Sequence, residues 1–246
     1  MSEHPQDRLG QPIVVGVGGR CTTWDAVEWG AAEAAGTGAG LHLVHVIEWP
    51  VTADMWPEAM PTRVDVLEAA GASQLAAAVE RAREVAPGIH VETRLETGGV
   101  ATALTGAAEW AAMLVLGKGR RPARWWRSRR TSTAVAVARR SACPVAVVEL
   151  CAEPGGEFSG LVVVVDPTHA GESAALAFAR SSARLRGVGV VSLETRDQVQ
   201  SAPSGAALVV VGGRRPPRPG RRLPAGVGRA LVHATSPTVL VLCDHR

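Results

Sequence analysis

The sequence predicts an open, parallel-sheet α/β fold built in two successive units, on three observations. Short apolar runs of about five to eight residues alternate with stretches of helical periodicity. Glycine and proline clusters punctuate most of these alternations. One phrase is written twice. AAMLVLG at residues 111–117 runs into KGRRPARWWRSRR, then a helix-like stretch, then Cys143–Val148. AALVVVG at residues 206–212 runs into GRRPPRPGRRLP, a second such stretch, then Pro237–Leu242. Strand, glycine-led loop, helix and strand, in that order, is the phosphate-cradling half of a nucleotide-binding α/β unit. Strands alternating with helices require a parallel sheet with right-handed crossovers and helices on both faces.

Taken in order, Ile13–Val17 is a short apolar run ended by Gly18-Gly19, the pattern of a buried parallel strand. From Thr23 to about Ala35 the apolar positions Trp24, Val27, Ala31 and Ala34 recur at helical spacing, with Thr22 or Thr23 available as the cap. Leu41–Ile47 is the second strand. Residues 48–61, with three prolines and with Trp49 and Trp56, read as a loop. Thr62–Val85 is a long alanine-rich helical pattern with Glu and Arg on its outer side, stopped by Pro87-Gly88. His90–Leu95 is the third strand, Gly99–Trp110 a helix, Met113–Gly117 the fourth strand, Ser132–Arg139 a helix and Pro144–Glu149 the fifth strand.

Cys151–Gly160, with Pro154, Gly155 and Gly156, reads as a linker. After it Leu161–Val165 repeats the first strand, Glu172–Arg184 the first helix and Val188–Leu193 the second strand. The interval from Leu193 to Leu208 is too short for a helix, a strand and another helix. The second unit therefore lacks the equivalent of residues 62–95 and keeps about four strands. The organisation expected is a disordered segment at 1–11, a first domain at 12–150, a linker at 151–160 and an abridged second domain at 161–246.

At 246 residues, 46% hydrophobic and 20% charged, an ordered globular protein with two modest cores, or one large one, is expected. Seven Trp, two Phe and no Tyr leave the cores to Val, Leu and Ala. A net charge of +3 argues against a dedicated nucleic-acid binder. The distribution is uneven, because residues 118–130 hold seven cations and no acid and residues 213–222 hold five and no acid. Cys21, Cys143, Cys151 and Cys243 are scattered without a CxxC pair or metal-ligand spacing, which suggests a reducing compartment. No apolar run has membrane-spanning length and the first residues are polar and acidic, so a cytoplasmic protein is expected, not an integral membrane protein.

The phrases PIVVGVGG, WDAVEWGAAEAAGTGAGLHLVHV, AAMLVLGKGR and AVAVARRSACPVAVVEL together resemble the universal stress protein domain. LVVVVDPTHAGESAALAFA, AALVVVGGRR and GRALVHATSPTVLVL are similar to a shortened second copy. The resemblance runs from about residue 12 to 243. It implies a Rossmann-like fold of the adenine nucleotide alpha hydrolase type and a pseudo-dimer within the chain, the two last strands near each other. It also implies an ATP site in which an Asp ends the first strand, a Val of the second strand touches the base and a G-x-x-G-(nine residues)-G-[ST] loop wraps the phosphates. Glycines let backbone N–H groups approach phosphate, and the following helix N-terminus adds partial positive charge.

Carried over residue by residue, the resemblance places Gly18 at the Asp position, Val46 at the base-contacting valine and Gly117 at the first glycine. Arg120 takes the second glycine position, with Gly119 one residue early, and Thr131-Ser132 the closing Gly-[ST]. In the second copy Asp166 and Gly212 match, Arg215 replaces the next glycine and Pro224-Ala225 closes the loop. Each copy thus holds part of the site, and proline has no N–H to offer a phosphate. A side chain at a lost glycine also stands where the backbone should approach the ligand.

Three readings follow. The first is a non-enzymatic stress-response or regulatory protein with a degenerate nucleotide pocket, requiring no cofactor and acting through a protein partner. The second is an ATP-binding sensor using Val46, Gly117, Arg120, Thr131 and Ser132, with slow hydrolysis. The third is a polyanion-binding module in which Arg124, Arg127, Arg129, Arg130, Arg214 and Arg215 meet nucleic acid or acidic lipid, with Trp125 and Trp126 stacking on bases. Against the third, the two tryptophans can pack on the sheet while the arginines stay solvated. Further dimerisation is left open. His42 and His45 sit three apart on one strand, face opposite sides and cannot share a metal; His45 reads as a structural residue. Trp24 and Trp29 point to different sides of their helix, and core or interface packing accounts for Trp29. Ser132 and Thr133 have no placed base, so no catalytic residue is assigned.

Overall fold

The computed structural model describes residues 10–18, 22–48, 60–117, 133–138, 140–148, 161–165, 174–193, 206, 208–214 and 238–244. The first half runs β1 (Ile13–Val17), α1 (Thr22–Thr37), β2 (Leu41–Ile47), α2 (Met60–Val85), β3 (Val91–Thr97), α3 (Val100–Ala107), β4 (Met113–Gly117), α4 (Thr133–Ala138) and β5 (Val145–Val148). The second runs β6 (Val162–Val165), α5 (Ala174–Arg186), β7 (Val190–Leu193), β8 (Leu208–Arg214) and β9 (Thr238–Asp244). The linker expected at Cys151–Gly160, the first nine residues and the helix-like stretch before Pro237 lie outside the described residues.

The alternation of strand and helix is as the periodicity predicts. Among the described residues, the elements differ from the expected ones at their ends. The long helix starts at Met60 inside the expected loop, because Pro61 needs no N–H donor in a first helical turn. The helix after β3 stops at Ala107, where Glu109 and Trp110 bond back only three residues, to Gly106 and Ala107.

The nine strands form one sheet in the order β3-β2-β1-β4-β5-β9-β8-β6-β7. Five belong to the first half and four to the second. Every pairing is parallel except β5 with β9, which run antiparallel and join the halves. Ile13, Val15 and Val17 face a core shared with Ala26 and Ala31 of α1 and Ala78 of α2. Ala175, Ala179 and Ala183 of α5 belong to that same cluster, so it runs through both halves. Val14 faces the opposite core, with Leu104 of α3 and Val137 of α4. β1, β4 and β5 are thus buried on both faces, which explains their uninterrupted apolar runs, whereas the edge strand β3 mixes half-buried and exposed residues. Small residues bring α1 down onto the sheet: a Cβ at Gly30 would stand 2.6 Å from Val15 Cγ2.

The second half repeats the local geometry of the first. Ile13 pairs with Leu41, and Val162 pairs with Val190 at an equal interval. Gly38 and Gly187 end the equivalent helices at φ 69° and 65°, where only glycine avoids a Cβ penalty. Ala39 N–H bonds Ala34 O at 3.0 Å, and Val188 N–H bonds Ala183 O at 3.0 Å. At the junction Val145 pairs Val241 and Val147 pairs Val239, while Ala146 faces Leu240. Val145 and Val239 occupy the same place in their halves, next to Leu114 and Val209. The pairs flanking Ala146 and Leu240 therefore exchange under a half-turn, and a pseudo-two-fold axis passes between those two residues.

Candidate functional site

From β1 the chain turns to β2 on one side and later returns to β4 on the other, so a crevice opens at the C-terminal edge between them. In open α/β sheets this switch point is where ligands bind. Val17 is level with His45 and Gly16 with Leu116. Gly18, Val46 and Gly117 consequently reach the same edge, with Val46 and Gly117 two strand spacings apart, about 10 Å. This edge brings together two of the residues carried over from the nucleotide site.

The crevice wall is apolar. Val46 is half-buried against the core that contains Val44 and Leu104, against which Val100 and Ala101 of α3 also pack. A Cβ at Gly16 would stand 2.7 Å from Leu116 Cδ2 and 3.4 Å from both Leu104 Cδ atoms, so glycine there lets those leucines close over the strand. Gly18 is exposed and brings no carboxylate to the end of β1.

His45 turns to the other face, as strand alternation requires. Its ring lies against α2 at Gly71, where a Cβ would be 2.9 Å from Cδ2. His42 lies on the α3 side, its ring centroid 5.2 Å from Trp110 and its Nε2 3.4 Å from Glu92 Oε2. Among the described residues no three His, Cys, Asp or Glu side chains converge as a metal site.

Gly212 differs from its first-half counterpart Gly117, which is the last residue of β4. Gly212 is inside β8, opposite Leu242, and Arg214 is still paired, opposite Asp244. The strand thus continues past the glycine expected to open the loop. Because β5 and β9 are antiparallel, Gly117 is level with the start of β9 through Val148 and Thr238, whereas Gly212 is level with its later part. The two glycines stand towards opposite edges of the sheet. Gly119, Arg120, Thr131, Ser132 and Asp166 lie outside the described residues, as do Arg124, Trp125, Trp126, Arg127, Arg129, Arg130 and Arg215.

Trp24 packs over α1 towards α2 and, with Ala77, Glu80, Arg81 and Glu84, lines a shallow groove between the helices. Trp29 points instead to the second half, where the Arg186 guanidinium stands 5.7 Å from its ring centre. Arg186 also reaches Glu33, a buried carboxylate that sequence reasoning missed. The signal for it was an acid on the helix face of Trp29, Gly30, Gly36 and Thr37, where no other charge stands.

The universal stress protein family model matches residues 10–149. A universal stress protein from Archaeoglobus fulgidus DSM 4304 superposes with a TM-score of 0.67, covering 95% of this chain and 98% of its own at 12% identity. A protein of unknown function from Pseudomonas aeruginosa PAO1 gives 0.64, covering 96% and 94% at 13% identity. These two likenesses concern the fold. A universal stress protein solved in complex with cAMP is 26% identical over 56% of this chain and 97% of its own, with a TM-score of 0.47. No curated protein matches the sequence. The matched model spans more than half of the chain, which accordingly belongs to the universal stress protein family.

Proposed function

We propose that this chain is a non-enzymatic stress-response binding protein with units at 12–150 and 161–246, the second a shortened copy of the first. The crevice of the first unit is a relic of a nucleotide site, and a protein partner sets the state of the molecule. The observation that carries this reading is Gly18. It stands exposed at the end of β1, where the family pattern has a carboxylate, so position 18 offers no carboxylate to a ribose hydroxyl or a metal. The scattered cysteines, with Cys143 a buried thiol, support a reducing, cytoplasmic setting.

A second reading keeps ATP in the first unit. It is favoured by Val46 and Gly117 meeting at one edge, where a base and a phosphate would be about one nucleotide apart. Slow hydrolysis belongs to this reading.

Calorimetric titration of ATP into the purified chain, with and without magnesium, separates the two. The relic reading expects no saturable heat in the micromolar range. Saturable binding that is abolished by Gly117→Arg rejects it in favour of the sensor.

A further inference from the structure

The seam between the halves is pseudo-symmetric in backbone and asymmetric in chemistry. Ala34 and Ala183 are counterparts by their equivalent hydrogen bonds, and Gly38 and Gly187 by their equivalent turns. Glu33 therefore corresponds to Ser182, and Thr37 to Arg186. Both Glu33 and Ser182 are buried, at 6% and 1% exposure. Thr37 and Arg186 each bond the carbonyl four residues back, Thr37 Oγ1 to Glu33 O at 2.8 Å and Arg186 Nη1 to Ser182 O at 3.2 Å. Only Arg186 reaches across. Its Nη2 donates to Glu33 Oε2 at 2.6 Å, over 153 residues of chain, and its guanidinium lies over the Trp29 ring. The symmetry mate of that contact would join Thr37 to Ser182, and the threonine is too short to make it.

We propose that Glu33, Trp29 and Arg186 form a recognition element that makes each half pair with the other and not with a copy of itself. The alternatives can be built from the same pseudo-axis. Two first halves from different chains would set Glu33 opposite Thr37, leaving a buried carboxylate without a cation. Two second halves would set Arg186 opposite Ser182, leaving a guanidinium without a carboxylate. Removing one partner of a buried ion pair is strongly unfavourable, so both like-with-like pairings are penalised. The antiparallel β5–β9 ladder does not discriminate in this way, because backbone hydrogen bonds are the same for any pairing in that register. The side chains at 33 and 186 supply the choice, and the covalent link between the halves supplies the effective concentration. The surface of α1 that carries Trp29 and Glu33 is thus an interface whose partner is the α5 surface of a second-type half.

The test uses the full chain. Glu33→Thr removes the carboxylate and makes a symmetric pairing of first halves acceptable. Sedimentation velocity is expected to show a concentration-dependent larger species that the wild-type chain lacks at the same concentration. Hydrogen exchange of the α5 amides around Ser182 is expected to accelerate. The exchanged pair Glu33→Arg with Arg186→Glu is expected to return both observables towards wild type, and it keeps the test readable if a single variant folds poorly. Glu33→Thr indistinguishable from wild type overturns the proposal, as does an exchanged pair no better than Arg186→Glu alone. Loss of stability without the larger species reduces the cluster to a brace and overturns the recognition role.

Discussion

His45 Nδ1 donates a hydrogen bond to the backbone oxygen of Val17, 2.9 Å away, tying β2 to the last residue of β1 beside the crevice. A carbonyl oxygen only accepts, so Nδ1 carries the proton whenever the ring is neutral. The strand end that leads into the β1–α1 connection is held by a side chain on the face opposite Val46. His45→Asn retains a donor near the Nδ1 position, whereas His45→Ala loses it along with the ring packing. In urea unfolding, His45→Ala is expected to be the less stable variant by about 1 kcal/mol. Nitrogen-15 shifts of the wild-type ring should report the Nδ1–H tautomer at alkaline pH.

Gly71 lies within α2, a position where alanine is normally preferred by about 1 kcal/mol. Here a Cβ would stand 2.7 Å from Leu95 Cδ1 and 2.9 Å from His45 Cδ2. Gly71→Ala is therefore expected to destabilise, by about 1–3 kcal/mol, as overpacking does. Gly36 in α1 has nothing within 4 Å of its ideal Cβ, so Gly36→Ala should be neutral or stabilise by about 0.5 kcal/mol. Thermal unfolding of the two variants side by side checks the opposite signs.

Ser141 is buried and organises the turn before Pro144. Its Oγ donates to Cys143 O at 2.7 Å and accepts from Cys143 N–H at 3.2 Å. Ser141→Ala leaves both backbone groups without this partner in a buried place, at a cost of about 1–3 kcal/mol. The loss should appear as a lower denaturant midpoint with an unchanged slope.

Arg81 joins α2 to α1 through Glu28, with Nη2 to Oε1 at 2.6 Å, and bonds Glu84 on its own helix at 2.7 Å. The hydrogen bond to Glu84 first, and then that to Glu28, raises its pKa above the ordinary arginine value. A cation raised in the folded state stabilises fully below its unfolded-state pKa and loses that contribution only as pH rises through the folded value. For arginine that window lies beyond mildly alkaline conditions. Arg81→Met should thus produce the same small change in midpoint at neutral and mildly alkaline pH. The change should shrink in high salt, because the pair is exposed to solvent.

Most strands and helices were legible in the sequence because their signals are local. Val14 and Val15 lie on opposite faces of a doubly covered sheet, which forces an unbroken apolar run. Gly38, Gly88 and Gly187 mark ends where φ is positive. The doubled strand–glycine phrase identified the repeat. The candidate site was legible only as residue types: that Val46 and Gly117 share an edge depends on the register of β2, β1 and β4. That Gly212 lies within strand pairing could not be read from AALVVVG, since β9 supplies the pairing from farther along the chain.

The sequence by itself determined the alternation of elements and the glycine, in place of an acid, at position 18. Tertiary structure alone decided that the halves share one sheet through an antiparallel β5–β9 ladder and that Glu33 meets Arg186. Helix and strand signals are set by neighbours within a few positions, so periodicity reports them. A contact between residues 153 positions apart is set by packing of both halves about the pseudo-axis, and no local pattern encodes it.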